Sequence, residues 1–538
     1  MKYITGKNRA QLVLIPTTLD DVIDEDNEAR FIDLFVETID LGKMGFEVFH
    51  IENGRPAYHP KDLLKLYLYG YLNTIRSSRK LEQATKINIE VLWLLKGLSP
   101  DHNTISNFRR DNPKAIKKVF RSTVKIAKHF NLIGGKLVAG DSTKLRAQNS
   151  KKNNFNKKKI ERHLAYIDNK LEEYNNQLKE SDNDKSLEDK DRKENIETIK
   201  SEIEKHNKRK ESYKQLEKQI EETGEKQIST SDPESRQMIT RNNITEVAYS
   251  IQTTVDAKNN IPVDYKTTNT TDSKAMGNML QRAKSILRTN EFTALYDKGY
   301  HTGSEFGKAN NLEIDVLAAI PKVASQAPNP DYNVENFEYD KATETYVCPQ
   351  GKLLTSTGKL HKSVRSNFKR YTTKECLTCS VKNECSKSKY GKAIQRSEYQ
   401  ELIDNNKTRI ENNKGYYRQR QAIVEHPYGT IKRQWGFSYI MTKKFKQRAE
   451  ADVGLIFTAY NLRRLMSIIG TEVLIGYLEI LTSIMSFYLH QFRLKTSQYQ
   501  QSKVLIYFSV FLDANKIKAV RMVYVDSASN IDYLFERF

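Results

Sequence analysis

Two aspartates in this sequence each follow a short apolar run. Asp141 comes after Lys136-Leu-Val-Ala-Gly140, and Asp297 comes after Phe292-Thr-Ala-Leu-Tyr296. Each run predicts a strand with a carboxylate at its C-terminal tip, so neighbouring strands would present both carboxylates at one edge of a sheet. A single aspartate at a strand end is more often a turn or capping residue, so the argument needs a third acid.

Glu425 is the candidate third acid, because its surroundings in the sequence are rich in cations. It lies in Arg418-Gln-Arg-Gln-Ala-Ile-Val-Glu-His-Pro-Tyr-Gly-Thr-Ile-Lys432. On a helix, Glu425 shares a face with Gln421 one turn earlier, and Pro427 is expected to strain the helix or end its regular ladder. Cations here would bind phosphates, and an indole would offer a stacking surface. The candidate DNA contacts near the acids are Lys298, Arg420, Lys432, Arg433 and Trp435.

Three converging carboxylates would suit cleavage of a phosphodiester. That reaction needs a nucleophilic water or 3′-hydroxyl, a stabilised leaving oxygen and a neutralised phosphate. Two Mg²⁺ ions about 3.5–4 Å apart supply all three. Mg²⁺, or Mn²⁺ in its place, prefers carboxylate oxygens. If the elements converge, Asp141, Asp297 and Glu425 are the catalytic candidates.

Composition favours a polyanionic partner. The chain has 538 residues, a formal net charge of +21 and a pI of about 9.4. Nucleic acid is the first candidate partner and an acidic membrane surface the second. The N-terminus lacks a signal-peptide pattern, and the apolar run 473–489 carries Glu479, which favours a buried or amphipathic helix over a membrane span. We therefore expect a cytoplasmic protein without a membrane partner.

Residues 1–130 are predicted to form a helical DNA-binding domain. Residues 62–72 and 115–130 carry the helical period, and Pro60 suits a helix start. Asp101 or Asn103 would cap a short basic helix, which fits a module of helix-turn-helix type. The candidate DNA contacts on that helix are Arg109 and Arg110. A helical bundle with a solvated basic face is the alternative.

The middle of the chain predicts an α/β fold with a mixed sheet. Residues 131–149 would supply the first catalytic strand, and residues 241–321 the rest of the catalytic core. That core would contain a hairpin, a helix from Ser273 to Leu287, the strand before Asp297, and a strand over 312–320. Residues 411–469 would add the C-terminal helices of the core, and residues 470–538 a tail that packs as an appendage.

Residues 150–240 interrupt this sheet and predict a coiled-coil helical hairpin. Ile160, Leu164, Ile167, Leu171, Tyr174 and Leu178 step by three and four residues, as the apolar seam of a coiled coil does. A similar series runs from Ile196 to Ile220, after a polar turn at 180–186. We expect an antiparallel pair within one chain. It could serve as a projecting spacer, as a dimerisation arm or as a DNA clamp.

A second insertion, residues 322–410, contains every cysteine of the chain. They are Cys348, Cys376, Cys379 and Cys385. Two thiolates spaced as Cys376 and Cys379 can bind one tetrahedral ion, which favours a structural Zn²⁺ site. Four free thiols are the alternative.

Together, these motifs resemble those of the DDE transposases of bacterial insertion sequences, in particular the IS4/IS5 superfamily and its IS1182-like group. The resemblance is carried by Gly140-Asp141-Ser-Thr, Tyr296-Asp297-Lys-Gly-Tyr and the series Tyr417, Arg420, Glu425 and Lys432. Weaker similarities lie at 54–60, 230–236 and 459–465. One departure is that four residues separate Arg420 from Glu425 where three are usual, so that Gln421 holds the usual arginine position.

The resemblance implies an RNase H-like domain in which Asp141, Asp297 and Glu425 bind Mg²⁺. It implies hydrolysis at the element's inverted-repeat ends, followed by attack of the freed 3′-hydroxyl on target DNA. The partners would be double-stranded DNA and a second copy of the chain in the DNA complex. The alternatives are a domesticated DNA-binding protein, a coiled-coil scaffold, and a metal-dependent nuclease without strand transfer. Asp272 is interpreted as a helix cap, and His59, His301 and His426 as structural.

Overall fold

The computed structural model describes residues 18–48, 56–183, 189–240, 244–321, 327–363, 366–498, 505–513, 516–525 and 531–536. Several sequence features lie outside the described residues. These are the first twelve residues examined for a leader, positions 54–55, positions 184–186 of the predicted polar turn, and positions 503–504 of the tail.

The N-terminal region is helical, as the sequence predicts. Its helices are α1 (Glu28–Glu37), α2 (Leu41–Met44), α3 (Pro60–Leu72), α4 (Ser78–Ile87), α5 (Ile89–Leu94), α6 (His102–Asp111) and α7 (Pro113–His129). Pro60 occupies the first turn of α3, where its missing N–H costs no hydrogen bond. Asp101 caps α6 by accepting hydrogen bonds from the Asn103 and Thr104 N–H groups. Local sequence signals therefore define where both helices begin.

A mixed sheet follows these helices. The next strands are β1 (Leu137–Arg146), β2 (Asn154–Asn156), β3 (Gln227–Ser229), β4 (Arg236–Ile239), β5 (Thr245–Asp256), β6 (Ile261–Thr268), β7 (Thr293–Tyr296) and β8 (Asp315–Ala318). The central sheet has the order β4-β5-β1-β7-β8, and β6 also pairs with β5. Strands β5 and β6 form the predicted antiparallel hairpin, whereas β7 and β8 continue the sheet in parallel from β1.

Strand β1 is longer than its sequence predicts, and Asp141 lies in its middle instead of at its tip. The strand continues to Arg146, which pairs with Ala248 of β5. Residues 142–146 are mostly polar, so the apolar run that predicts the strand ends before them. Their backbone groups are nevertheless paired along β5. Asp297, in contrast, does follow the end of β7.

The first insertion contains two long helices, α8 (Lys157–Asn183) and α9 (Asp189–Thr223). They pack antiparallel, because residues early in α8 meet residues late in α9. His163 stacks on Tyr213, and Asp168 pairs with Lys210 at 2.5 Å. Phe155, Ile160 and Ile220 form a small buried cluster at the base. We call this pair the helical arm; its seam closes within one chain.

Helices α10 (Met276–Leu287) and α11 (Gly303–Asn311) flank β7 in sequence, and the second insertion follows β8. The insertion forms an antiparallel sheet of β9 (Glu338–Asp340), β10 (Thr345–Val347), β11 (Leu353–Lys362), β12 (Asn367–Thr372) and β13 (Ile394–Ser397), with the short helix α12 (Lys382–Cys385). The next helix, α13 (Gln400–Asn412), returns to the central sheet. Its Asn406 side chain bonds both the N–H and the carbonyl of Ala318 in β8. The predicted insertion boundary at 410 therefore falls inside a core helix.

The C-terminal region contains α14 (Lys414–Gly429), α15 (Lys446–Ile469), α16 (Thr471–Gln498), β14 (Leu505–Asp513), β15 (Lys516–Val525) and β16 (Ile531–Glu536). Pro427 lies inside α14, and a π-helical turn from Thr430 to Gln434 follows it. The last three strands form an antiparallel sheet of their own. No single helix in the described part of the chain is long and apolar enough to cross a membrane; α15 and α16 meet that criterion only as a pair bent by 107°.

Helix α15 joins the N-terminal helices to the central sheet. One continuous core contains residues of α1, α3, α7, the sheet and α15. Inside it, Asp452 of α15 is fully buried and accepts hydrogen bonds from Arg76 at 2.6 Å and from the Tyr71 hydroxyl. Arg109 lies 3.5 Å from the same carboxylate. The N-terminal helices and the sheet are thus packed as one unit.

Candidate active site

The two predicted aspartates lie side by side. Strands β1 and β7 pair in parallel, with a register that sets Asp141 level with Asp297. The residues before them fix this arrangement. A Cβ on Gly140 would lie only 2.0 Å from the Tyr296 ring, so the tyrosine packs closely only against a glycine. Gly140, which precedes Asp141, therefore packs directly against Tyr296, which precedes Asp297.

The charge balance at Asp141 favours a cation. Burial raises the pKa of the Asp141 carboxyl, and the negative charge of Asp297 raises it further. Arg420 and the Ser142 N–H oppose this increase in pKa. The Arg420 guanidinium lies 3.2 Å from Asp141 and is 5.9 Å from the centre of the Tyr417 ring. The unusual spacing of Arg420 in the sequence thus places it directly on the first acid.

Helix α14 faces the paired aspartates. The Tyr428 hydroxyl is 2.5 Å from the Thr253 hydroxyl, and Thr253 stands opposite Asp141 in the β1–β5 register. Glu425 is exposed on this helix and accepts a hydrogen bond from Gln421 at 2.8 Å. It lines a cleft together with Ser142, the residue after Asp141.

Asp141 and Asp297 are neighbours and Glu425 lines the adjoining cleft, but the three acids do not form a ready-made metal site. Within the residues that the structure describes, no three His, Cys, Asp or Glu side chains are placed so that they could hold one metal ion. Glu425 would have to leave Gln421 and turn toward the aspartates to complete the ligand set.

A fourth acid, Asp272, lies beside this site and was interpreted from the sequence as a helix cap. Thr271 holds the capping position instead. The Asp272 carboxylate accepts hydrogen bonds from Gln252 at 2.6 Å and from Lys144 at 3.1 Å. Gln252 accepts in turn from the Tyr300 hydroxyl at 2.5 Å. This polar row holds the Lys144 side chain against Asp272 and Ser142, a placement that no local sequence signal gives.

Two predicted DNA contacts are unsuitable for that role as the structure places them. Arg109 is only 4% exposed, and its guanidinium is bound to the Tyr71 hydroxyl and the Arg76 carbonyl. Trp435 packs against Phe437 and Tyr460. Both side chains serve the core, because a basic or aromatic residue in the sequence does not reveal which way its side chain points.

The remaining predicted contacts stay near solvent. Arg110, Lys298 and Arg433 are exposed, whereas Lys432 bonds the Thr143 hydroxyl and the Lys144 carbonyl, each at 3.2 Å. Lys432 therefore lies beside β1 at Thr143 and Lys144, shortly after Asp141 in the strand.

A basic groove connects these cations. The cleft beside Glu425 shares Arg146 with a second cleft at the end of β1, and the second shares Gln148 with a third next to α6. The third cleft has a volume of about 560 Å³. Apart from the buried Arg109, its basic lining residues are Arg79, His102, Arg110, Lys443, Lys444 and Arg448. We call the three clefts together the basic groove.

One wall of the basic groove is a strained loop, residues 441–445, together with Arg448 in the first turn of α15. Lys444 and Phe445 have φ values of 60° and 70°, which side-chain-bearing residues rarely adopt. The loop is held by buried carboxylates: Asp452 accepts from the Met441 N–H, and Asp232 accepts from the Phe445 N–H. Such strain persists where surrounding contacts impose it, often at functional sites. The Lys-Lys-x-Lys-x-Arg run of the sequence was the signal for this wall.

The three histidines interpreted as structural from the sequence have contacts or burial of that kind. His59 caps α3, and His426 bonds the Tyr460 hydroxyl at 2.7 Å. Burial lowers the pKa of His301, which favours its neutral form. The four cysteines, predicted as zinc ligands, line a single cavity in the second insertion, far along the sequence from the acids.

The fold and site define an α/β protein with paired carboxylates on a mixed sheet and a basic groove leading to a helical region. A comparison with protein-family models gives two matches. Residues 17–111 match the family described as "Transposase domain (DUF772)", and residues 347–466 match the family described as "Transposase DDE domain". Both matches are to transposase families, so the chain is similar to the DDE transposases of insertion sequences over these two segments.

The matched segments cover α1 to α6, the second insertion from residue 347 onward, and α13 to nearly the end of α15. Glu425 lies inside a match, whereas Asp141 and Asp297 lie between the two. No curated protein and no solved structure matches the chain significantly.

Proposed function

We propose that the chain cuts DNA at the ends of an insertion sequence and transfers the freed 3′ ends to target DNA, with divalent metal at an RNase H-like site. The observation that carries the proposal is the parallel register that sets Asp141 level with Asp297, opposite the helix of Glu425. Membership of the IS1182-like group and action at the nucleoid belong to the same proposal. A homodimer would bring two element ends together.

The residues fit Mg²⁺ or Mn²⁺. Their donors are carboxylate oxygens, which these hard cations prefer. Burial and the neighbouring Asp297 both disfavour the charged form of Asp141, so a cation in addition to Arg420 would relieve the excess negative charge. Asp141, Asp297 and Glu425 would hold the metal, which supplies charge neutralisation at the attacking and leaving oxygens.

The surrounding side chains would position the DNA strand. Arg420 screens Asp141 and is available to contact a phosphate when metal takes over that screening. Lys432 and Arg433 lie in the cleft of Glu425, where they would bind the phosphates next to the cleaved bond. The hydrogen bond between the Tyr428 and Thr253 hydroxyls would hold α14 against β5 at the level of Asp141. It would thereby fix the direction from which Glu425 approaches the two aspartates.

The basic groove would carry the duplex from the catalytic acids to α6. Its arginines and lysines come from the N-terminal helices, the end of β1 and the strained loop, so contacts along one DNA segment would span all three. Phosphate contacts supply most affinity without reading sequence, whereas α6 would read bases.

The test of catalysis uses DNA that carries the terminal repeats flanking the gene. Asp141→Asn, Asp297→Asn and Glu425→Gln should each lower cleavage by more than about 100-fold, since even residues behind metal ligands contribute 10–100-fold. DNA binding should remain. Glu291→Gln is the matched control, because this exposed acid precedes β7 at its opposite end. Appreciable cleavage by any of the three variants in Mg²⁺ would remove that residue from the ligand set.

Strand transfer separates the proposal from its closest rival, a nuclease. A pre-cleaved end with a free 3′-hydroxyl should join to target DNA in the presence of wild-type protein and Mg²⁺. Cleavage without joining would favour the nuclease. Binding with neither activity would favour a DNA-binding protein without catalysis.

The groove is tested through the salt dependence of binding. Replacing Lys443 and Lys444 together by alanine should reduce the magnitude of the slope of log affinity against log salt by about 2, since each lost phosphate contact removes about one. The control is the double alanine variant of Lys387 and Lys389, exposed lysines of the second insertion. Equal slopes for both variants would mean that the DNA follows another path.

A further inference from the structure

The second insertion has a small core of its own. Its buried apolar side chains, among those described, are Phe337, Tyr346, Leu354, Tyr371 and Ile394. Five such residues are few for a five-stranded sheet, and small folds of this size are commonly held by disulfides or a structural metal. Cys348 and Cys385 pack against this core. The four cysteines are all free thiols.

These thiols surround one space. Cys348, Cys376, Cys379 and Cys385 come from three separate parts of the insertion and line the same cavity. The cavity measures about 20 Å³, which is room for roughly one water-sized particle. Four sulphur donors around a space of this size match the number of ligands that a tetrahedral zinc site uses.

The backbone around two of the cysteines is shaped for close approach. Gly351 has a φ of +72° and donates to the Cys348 carbonyl at 2.8 Å, which closes a tight turn. The next N–H, of Lys352, points to the Cys348 sulphur at 3.3 Å.

Gly391 forms the opposite wall. Its φ is +83°, and a Cβ there would lie 2.2 Å from the Cys376 Cβ. Only glycine allows this contact between two segments that are distant in sequence.

The charges around the cavity complement a thiolate cluster. One Zn²⁺ with four thiolates carries two net negative charges. Lys352, Lys382 and Lys392 line the cavity together with one acid, Glu375, which pairs with Lys352 at 2.8 Å. The lining cations therefore outnumber the lining acid, which suits a negatively charged cluster.

We propose that Cys348, Cys376, Cys379 and Cys385 bind one structural Zn²⁺ that holds the second insertion together. The described side chains do not already form a metal site, so binding draws the four sulphurs inward to about 2.3 Å from the ion. The metal site is independent of the proposed catalysis, because Glu425 and the paired aspartates belong to other elements.

The experiment measures metal in the purified full-length chain kept under reducing conditions. We expect one zinc per chain by elemental analysis. Cys376→Ser and Cys385→Ser should each lower the zinc content by about tenfold or more, since each removes one of four ligands. Thr378→Ala and Ser380→Ala are controls, because both residues are exposed and flank Cys379 without supplying a sulphur ligand. Asp141→Asn should keep its full zinc content.

A second measurement covers the case in which the cysteine variants do not fold. Wild-type protein whose metal is exchanged for Co²⁺ should show thiolate-to-cobalt charge-transfer absorption and the visible bands of tetrahedral Co²⁺. Absence of both zinc and these bands would overturn the proposal, as would zinc that persists in the cysteine variants. Disulfides among the four cysteines in freshly purified protein would overturn it as well.

Discussion

The core around α15 and the helical arm of α8 and α9 bury their residues in different ways. In α15, 15 of 24 residues are buried, and their contacts reach the N-terminal helices and the sheet. The described residues of the arm bury Ile160, Ile167, His206 and Ile220, mostly against the opposite helix. A helix that packs on many elements couples their stabilities, whereas a hairpin that packs on itself can open alone.

The difference has a consequence for the site. Asp141, Asp297 and the strained loop of the basic groove all depend on the core, through the β1–β7 register and the carboxylate of Asp452. The arm's seam, where the structure describes it, packs between α8 and α9. Damage to the core should therefore remove folding and activity together, while damage to the arm should spare the catalytic sheet.

The largest effect should come from Asp452→Ala. Burial alone would raise the pKa of this carboxyl, but Arg76, Arg109 and two hydrogen-bond donors hold it below its usual range. Removing it leaves buried cations uncompensated, which costs about 3–5 kcal/mol. Chemical denaturation of the full chain should show this loss as one cooperative change in the N-terminal helices and the sheet.

The control for Asp452 is Glu291→Gln, an exposed acid. A loss below about 1 kcal/mol for Asp452→Ala would contradict the coupling, because an exposed ion pair contributes about that much.

A smaller and local effect is expected from replacing Leu164 and Leu171 together by aspartate. Both face the α8–α9 seam, and charges there should destabilise the arm by about 1–3 kcal/mol. Limited proteolysis should then cleave within 157–223 faster than in wild type. The melting of the core and cleavage of DNA ends should not change. Loss of the whole fold would show that the arm's seam is part of the main core.

The smallest expected effect is a shift in the pH dependence of activity, which tests how burial in the core affects the charge of Asp141. Metal binding requires the Asp141 carboxylate, whose pKa is raised by burial and by Asp297. Activity should therefore decline on acidification at a higher pH than an ordinary aspartate would give. Arg420→Gln removes an opposing charge, so its acidic limb should move to still higher pH. The midpoint of the acidic limb of kcat/KM would show this.

An unchanged or lower midpoint in Arg420→Gln would mean that Arg420 does not set the charge of Asp141. Lys298→Gln serves as the matched control, because this exposed cation lies next to Asp297 without an ion pair to Asp141 in the described part of the chain.

Much of the local structure could be predicted from the sequence. The N-terminal helices, the β5–β6 hairpin and the strand before Asp297 follow from periodicity and capping residues, which act over a few positions. The helical pair of the arm follows from its three-and-four spacing. The extent of β1 could not be predicted, because its second half is stabilised by β5, a strand about a hundred positions later in the sequence.

For the site residues, too, some properties could be predicted from the sequence and others could not. The sequence by itself determined the types of residue that would do the chemistry: three acids in strand and helix contexts, surrounding cations, and four clustered cysteines. Only the tertiary structure decided that Arg109 and Trp435 face the core, that Arg420 reaches Asp141, and that Lys443 and Lys444 join the basic groove. A residue's chemistry is carried by its own atoms, whereas its direction and its partners depend on packing among segments that are far apart in the sequence.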